Sequence, residues 1–223
     1  MEFKKVLIIG AGQMGSGIAQ VMAQGGLDVN IRDINEEFVK KGIAGIDKNL
    51  AKALEKGKLT ADEKIAVMGR IHGVVELDAA TCDVDLVVEA AIENMEVKKS
   101  IFQLLDALCP AHTILATNTS SLPVTAIGAL TKRANKVVGM HFFNPAPVMK
   151  LVEIINGLAT SAATYDAVKD LAEKLGKSPV KVSDFPGFVG NRIMIPMINE
   201  AAFALMEGVA SADDIDSVAK LGF

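Results

Sequence analysis

The chain is short of cysteine, of net positive charge and of long apolar runs, and each shortage narrows what it can be. Its two cysteines, Cys82 and Cys109, are too few and too far apart in sequence for a metal-ligand or redox motif, so reduced structural thiols are expected. A net charge of -4 argues against general nucleic-acid binding. The longest apolar stretches, such as VLIIGAG and IMIPMI, fall well short of the roughly 20 residues a membrane span needs. The start, MEFKKVLII, runs straight into a strand pattern without a signal-peptide cleavage site, so cytoplasmic residence is the expectation. Internal repeats and low-complexity tracts are missing too. What is there is 223 residues, half of them apolar, enough for a soluble globular chain with an ample core.

Short aliphatic runs alternate with helical patterns along most of the chain. KKVLII (4–9) is broken by GAGQMG, and SGIAQVMAQGG then carries small and apolar residues at helical spacing. LDVNIRD (27–33) reads as a second strand ending in an acid. Residues 35–71 are charged and helical in pattern, with a break near Gly57 where Thr60 and Glu63 form a capping-box signature, so a helical hairpin projecting from the sheet is expected. HGVVEL, DLVVEA, TILAT, KVVGMH, KLVEII and SPVKVS follow as strands, interleaved with helices over MEVKKSIFQLLDAL and about 164–175. This is an α/β pattern implying a Rossmann-type, doubly wound, mostly parallel sheet with crossover helices. At Pro186-Gly187 the texture changes to a long apolar helix, which Pro196 is expected to kink, and a short one begun by Ser211. The expected division is a dinucleotide-binding domain over 1–185 and the start of an all-α domain over 186–223. A helix this apolar with a single companion needs a cover from the first domain, another subunit or further chain.

Gly10-Ala11-Gly12-Gln13-Met14-Gly15 is a GxGxxG loop that follows a strand, opens a helix and is succeeded by an acid, Asp33, closing the next strand. Gly10 suits the tight turn, Gly12 leaves room for a pyrophosphate at the helix N-terminus, and Gly15 permits close packing of helix on strand. A carboxylate at position 33 accepts hydrogen bonds from an adenosine ribose and repels a 2'-phosphate. NAD is therefore expected over NADP, with the neighbouring Arg32 as the one contrary feature. Between Lys40 and Lys64 stand seven lysines against four acids, and Lys48, Lys52 and Lys56 recur at a spacing of four along one helix face. A solvated face and a polyphosphate site are both open readings.

Two ionisable residues interrupt apolar runs: His141 ends VVGM and Glu153 sits inside LVEII. If they meet, the carboxylate fixes the imidazole tautomer and raises its basicity, leaving the second ring nitrogen to exchange a proton with a substrate hydroxyl. Asn118 and Ser120 follow a strand at the corresponding carboxyl end, and Glu89 and Glu93 flank another. Turn chemistry is the plain alternative for the Asn-Thr-Ser-Ser cluster.

With GAGQMGSGIAQ, DLVVEAAIENMEVKK, ATNTSSL, GMHFFNPAPVMKLVEI and PGFVGNR in this order, the chain resembles the 3-hydroxyacyl-CoA dehydrogenases, and among them the bacterial 3-hydroxybutyryl-CoA enzymes of butyrate metabolism. The resemblance implies NAD-dependent interconversion of (S)-3-hydroxyacyl-CoA and 3-oxoacyl-CoA, with His141 as general acid/base and Glu153 orienting it. It implies Ser120 and Asn191 around the substrate carbonyl, Glu93 and Lys98 near the nicotinamide ribose, and Asn118 and Asn144 lining the same pocket. Lys52 and Lys56 become candidates for the CoA phosphates. The family's helical domain continues further and forms a dimer interface, so the chain reads as truncated and as a homo-oligomer when that domain is completed. Gly190 stands where a β-branched residue is usual and is expected to loosen Asn191. Two rival readings are a dinucleotide-binding protein without turnover and a free hydroxyacid dehydrogenase that relies on a catalytic lysine. HFFNP with Glu153 speaks against the latter.

Overall fold

Aliphatic residues at consecutive positions become central strands buried on both faces, and those at alternate positions strands nearer the edge, in the computed structural model, which describes residues 2–222. The chain order is β1 (Lys5–Ile9), α1 (Gln13–Gln24), β2 (Asp28–Arg32), α2 (Glu36–Glu55), α3 (Ala61–Met68), β3 (Ile71–Val74) and β4 (Leu86–Glu89). It continues with α4 (Met95–Leu108), β5 (Ile114–Thr117), α5 (Val124–Gly128), β6 (Val137–Phe142), β7 (Leu151–Asn156), α6 (Ala162–Lys174) and β8 (Ser178–Ser183), then α7 (Gly190–Met206) and α8 (Ala212–Gly222). The eight strands form one sheet in the order β3-β2-β1-β4-β5-β6-β7-β8. The order reverses between β1 and β4, the place where open α/β sheets hold ligands beyond their carboxyl ends.

Alternation in β1 divides the core. Val6 and Ile8 face a layer with Ile18, Met22, Val168 and Leu171, while Leu7 and Ile9 face one with Phe102, Leu105 and Ile127. Each such buried aliphatic contributes about 1.5–3 kcal/mol relative to exposure. Cys82 and Cys109 lie in the second layer as free thiols. The Cys109 thiol is pushed up by its neighbour Cys82 and by burial.

Two expectations are corrected. The crossover pattern does not hold at β6 and β7: residues 143–150 contain no helix, and a parallel return needs a crossover of about a dozen residues or more. The chain turns back, and β7 pairs antiparallel to β6 in an otherwise parallel sheet. The hairpin of α2 and α3 also does not stand away from the body. Val39, Gly42, Ile46 and Leu50 are buried along one face of α2, and Ile46, Leu50 and Val67 join the core around α1. Its turn is as expected: Thr60 accepts from Glu63 N, and Glu63 accepts from Thr60 N, in a capping box.

Helix α7 runs through Pro196. Among the described residues of α7 and α8 none is buried, and Ile193 and Ile195 are 65% and 56% exposed. Ser211 caps α8 by accepting from Asp214 N. Among the described residues no helix is long and apolar enough to cross a membrane.

Candidate active site

The glycine loop leaves a helix end open. Helices α2, α3, α4 and α6 each have a side chain accepting from a first-turn N–H, whereas α1 starts at Gly12 with neither a side-chain cap nor an acid in its first turn. Its N–H groups and dipole are therefore free for an anion. Gly10 has φ 105°, and a Cβ there would lie 2.5 Å from Ala90 O. A Cβ on Gly15 would lie 1.8 Å from Gly10 O, while one on Gly12 would meet nothing within 4 Å. Gly15 is thus a packing glycine, and Gly12 borders open space. Asp33 closes the loop: Oδ2 accepts from Ala11 N at 2.7 Å and Oδ1 from Ile34 N at 2.7 Å. Arg32 turns aside, its Nε donating to Val75 O. The uncapped helix end, the open flank of Gly12 and the placed carboxylate fit a dinucleotide.

The antiparallel turn at β6 and β7 brings the two ionisable residues together. His141 and Glu153 are direct cross-strand partners, so their side chains share a face, and Nδ1 of His141 lies 2.8 Å from Oε2 of Glu153. Glu153 is 2% exposed and is held at its other oxygen, where Oε1 accepts from Val189 N at 3.0 Å and Gly190 N at 2.8 Å. These are the first N–H groups of α7, which suit a buried anion. The imidazole is walled by the rings of Phe143 and Phe188, 4.8 and 5.8 Å away between centroids. The loop between the strands is pinned by Lys177, whose Nζ donates to Ala146 O and Met149 O and whose ammonium is pushed down by burial.

Ser120 sits on an ordered loop. Glu93 Oε1 accepts from Thr119 Oγ1, Ser120 N, Ser121 N and Ser121 Oγ. Partial burial pushes the Glu93 carboxyl up, but hydrogen bonds from Thr119, Ser121 and Ser120 and the Lys98 charge outweigh it and hold it below the ordinary 4.5. Asn191 Nδ2 donates to Ser120 O at 3.2 Å, joining α7 to the same loop. Among the described residues no group hydrogen-bonds the Ser120 hydroxyl, which is exposed.

The family model "3-hydroxyacyl-CoA dehydrogenase, NAD binding domain" matches residues 5–185, and its companion, the family's C-terminal domain, matches 187–223. The chain belongs to the 3-hydroxyacyl-CoA dehydrogenase family. It is an oxidoreductase of that family, and its cofactor is NAD. It is 53% identical over 222 residues to the probable 3-hydroxybutyryl-CoA dehydrogenase of Bacillus subtilis, covering 100% of this chain and 77% of that protein. Against the mitochondrial hydroxyacyl-coenzyme A dehydrogenase of Homo sapiens it is 42% identical over 224 residues, covering 98% and 71%. The crystal structure of (S)-3-hydroxybutyryl-CoA dehydrogenase from Ralstonia eutropha superposes with a TM-score of 0.95 at 46% identity, covering 99% of this chain and 78% of that one.

Family membership gives the sequence-predicted residues a common frame, and the structure distributes them unevenly. Gln13 and Asn144 meet, Nε2 donating to Oδ1 at 3.1 Å, so the glycine loop touches the loop after β6. Met14 packs against the core. Asn118 bridges strands, its Oδ1 accepting from Phe142 N and its N–H donating to Glu89 O. Lys98 lies beneath the cleft at 1% exposure, with Nζ bonded to both Glu89 oxygens at 2.6 and 2.8 Å. Lys52 and Lys56 are exposed on the outer side of the hairpin. Gly190 is tied down by Glu153, and a Cβ there would lie 2.9 Å from the Phe143 ring. The sequence reading did not single out Phe188, Phe143, Thr117 or Thr119. Glu89 was noted only by position, since an acid at the end of an apolar strand, unlike Glu153 inside one, can equally face solvent.

Proposed function

We propose that the chain interconverts (S)-3-hydroxybutyryl-CoA and acetoacetyl-CoA with NAD, His141 serving as general acid/base and Glu153 as its orienting partner. The observation carrying this reading is the 2.8 Å contact between His141 Nδ1 and Glu153 Oε2, because it leaves Nε2 as the nitrogen for proton exchange. The substrate class rests on the likeness to proteins named for it. Gly12, Gln13 and Met14 at the α1 terminus would hold the pyrophosphate, with Gly10 and Gly15 shaping the loop, and Asp33 the adenosine ribose. Glu93, Lys98, Asn118 and Asn144 border the nicotinamide end. Bound NAD supplies the hydride acceptor, or in its reduced form the donor. His141 Nε2 takes the proton of the 3-hydroxyl as C3 becomes a carbonyl, and returns it in reduction; Glu153 stabilises the imidazolium formed meanwhile. Ser120 hydrogen-bonds the substrate oxygen, with Asn191 reaching the same place from α7. Among the described residues Lys52 and Lys56 have no ion-pair partner, which supports them as contacts for the CoA phosphates. The division at 185/186, a cytoplasmic setting compatible with free thiols, and homo-oligomerisation through the helical part belong to the same proposal.

The test is oxidation of NADH by acetoacetyl-CoA, followed by absorbance. The chain is expected to turn over, and His141→Gln and Glu153→Gln to lower kcat by about 10²- to 10⁴-fold with NADH binding retained. Near-normal turnover of His141→Gln overturns the assignment.

A further inference from the structure

Beneath the loop that carries Ser120 lies a charge cluster centred on a fully buried carboxylate. Glu89, at the carboxyl end of β4, is 0% exposed and accepts four hydrogen bonds: two from Lys98 Nζ, one from Ala91 N at 2.8 Å and one from Thr117 Oγ1 at 2.7 Å. Lys98 Nζ reaches on its other side to Glu93 Oε2 at 3.4 Å. Thr117 Oγ1 accepts from Thr119 N at 3.2 Å, and Thr119 Oγ1 donates to Glu93 and accepts from Leu122 N at 2.9 Å. A buried ion pair is a poor means of stabilising a fold, since desolvating two charges cancels most of their attraction and apolar residues of the same volume do as well. Its effect here is geometric. Two routes lead from Glu89 to the segment Thr119–Ser121, one through Thr117 and one through Lys98 and Glu93. The first holds Thr119 N and the second Ser120 N, while Asn191 holds the Ser120 carbonyl from α7 and the hydroxyl is left unengaged.

We propose that Glu89 is a positioning residue for the reaction: acting through Lys98 and Glu93, and through Thr117, it sets the loop that presents the Ser120 hydroxyl to the substrate. The proposal rests on the reading of Ser120 given above. With no exposed atom, Glu89 acts only through its neighbours, and misplacing a reacting group by an ångström costs on the order of 10²-fold in rate.

The experiment is a double-mutant cycle on kcat with Glu89→Gln and Ser120→Ala, together with amide hydrogen exchange at Ser120 and Ser121 read by NMR without substrate. Glu89→Gln is expected to lower kcat by about 10- to 100-fold in the parent and by less than about 2-fold in the Ser120→Ala background. Exchange at Ser120 and Ser121 should quicken at least about 10-fold, with the β6 amides unchanged. Multiplicative effects on kcat, the result a merely structural role gives, overturn the proposal. Unchanged exchange in Glu89→Gln beside an impaired Ser120→Ala overturns the anchoring alone. Normal kcat in Ser120→Ala overturns the reading of Ser120 and this role with it. Thr117→Val, which keeps shape and removes the two hydrogen bonds by which Thr117 Oγ1 links Glu89 to Thr119 N, runs the same cycle and exchange measurement if Glu89→Gln does not fold.

Discussion

Gly12 and Gly15 stand three positions apart in one loop and answer to different forces. At Gly15 an added methyl collides with a backbone oxygen at 1.8 Å, which no side-chain adjustment relieves. At Gly12 the backbone has φ -70°, open to any residue, and the added methyl points into empty space. Gly15→Ala is expected to lower stability by about 3 kcal/mol or more in a denaturant melt, beyond ordinary overpacking because backbone must move. Gly12→Ala should melt within about 1 kcal/mol of the parent while losing at least about 10-fold in NADH affinity by fluorescence titration. Retained affinity in Gly12→Ala would place the pyrophosphate elsewhere. The close packing at Gly15 was legible in sequence because motif and context suffice for it. Glu89 was not, because nothing in DLVVEA says whether a terminal acid faces solvent or a lysine nine residues on.

Elements rather than single residues decide how the site is held. The antiparallel return of β7 makes His141 and Glu153 cross-strand neighbours; with a parallel β7 that pairing would be lost. Likewise the Thr119–Ser121 segment is shaped less by its own turn chemistry than by one carboxylate, Glu93, lowered by hydrogen bonds and by Lys98 against the effect of burial. A carboxyl depressed on folding contributes stability that is fully present above its unfolded value, 4.5, and is lost as pH falls through the lower folded value. The difference in melting temperature between the parent and Glu93→Gln is therefore expected to be constant from pH 7 to about 5.5 and to shrink between about pH 5 and 3. Thermal melts across that range check it, and a difference independent of pH would count against the anchor.

On the scale of the whole molecule, the Rossmann-type body buries an apolar core, whereas none of the described residues of α7 is buried. Ile193, Ile195, Ile198 and Met206 are each more than half exposed on that helix, a patch larger than scattered surface apolar residues make. The chain is expected to associate as its concentration rises in sedimentation velocity, and Ile195→Lys with Ile198→Lys to hold it monomeric. Surface changes of this kind alter stability by only about 0.5 kcal/mol each, so a folded monomer is the expected species. Identical sedimentation of parent and variant would locate the association elsewhere. By itself the sequence determined what local pattern can carry: strands and helices in order, the glycine loop, the capped hairpin, the family, and the burial of an acid and a histidine in apolar runs. Only the tertiary structure decided that the sheet reverses after β6, that the hairpin packs on α1, that Lys98 lies under the cleft on Glu89, and that the start of α7 grips Glu153. Those are contacts between residues distant along the chain, and side-chain partners at long range follow from how layers pack, which periodicity and spacing do not encode.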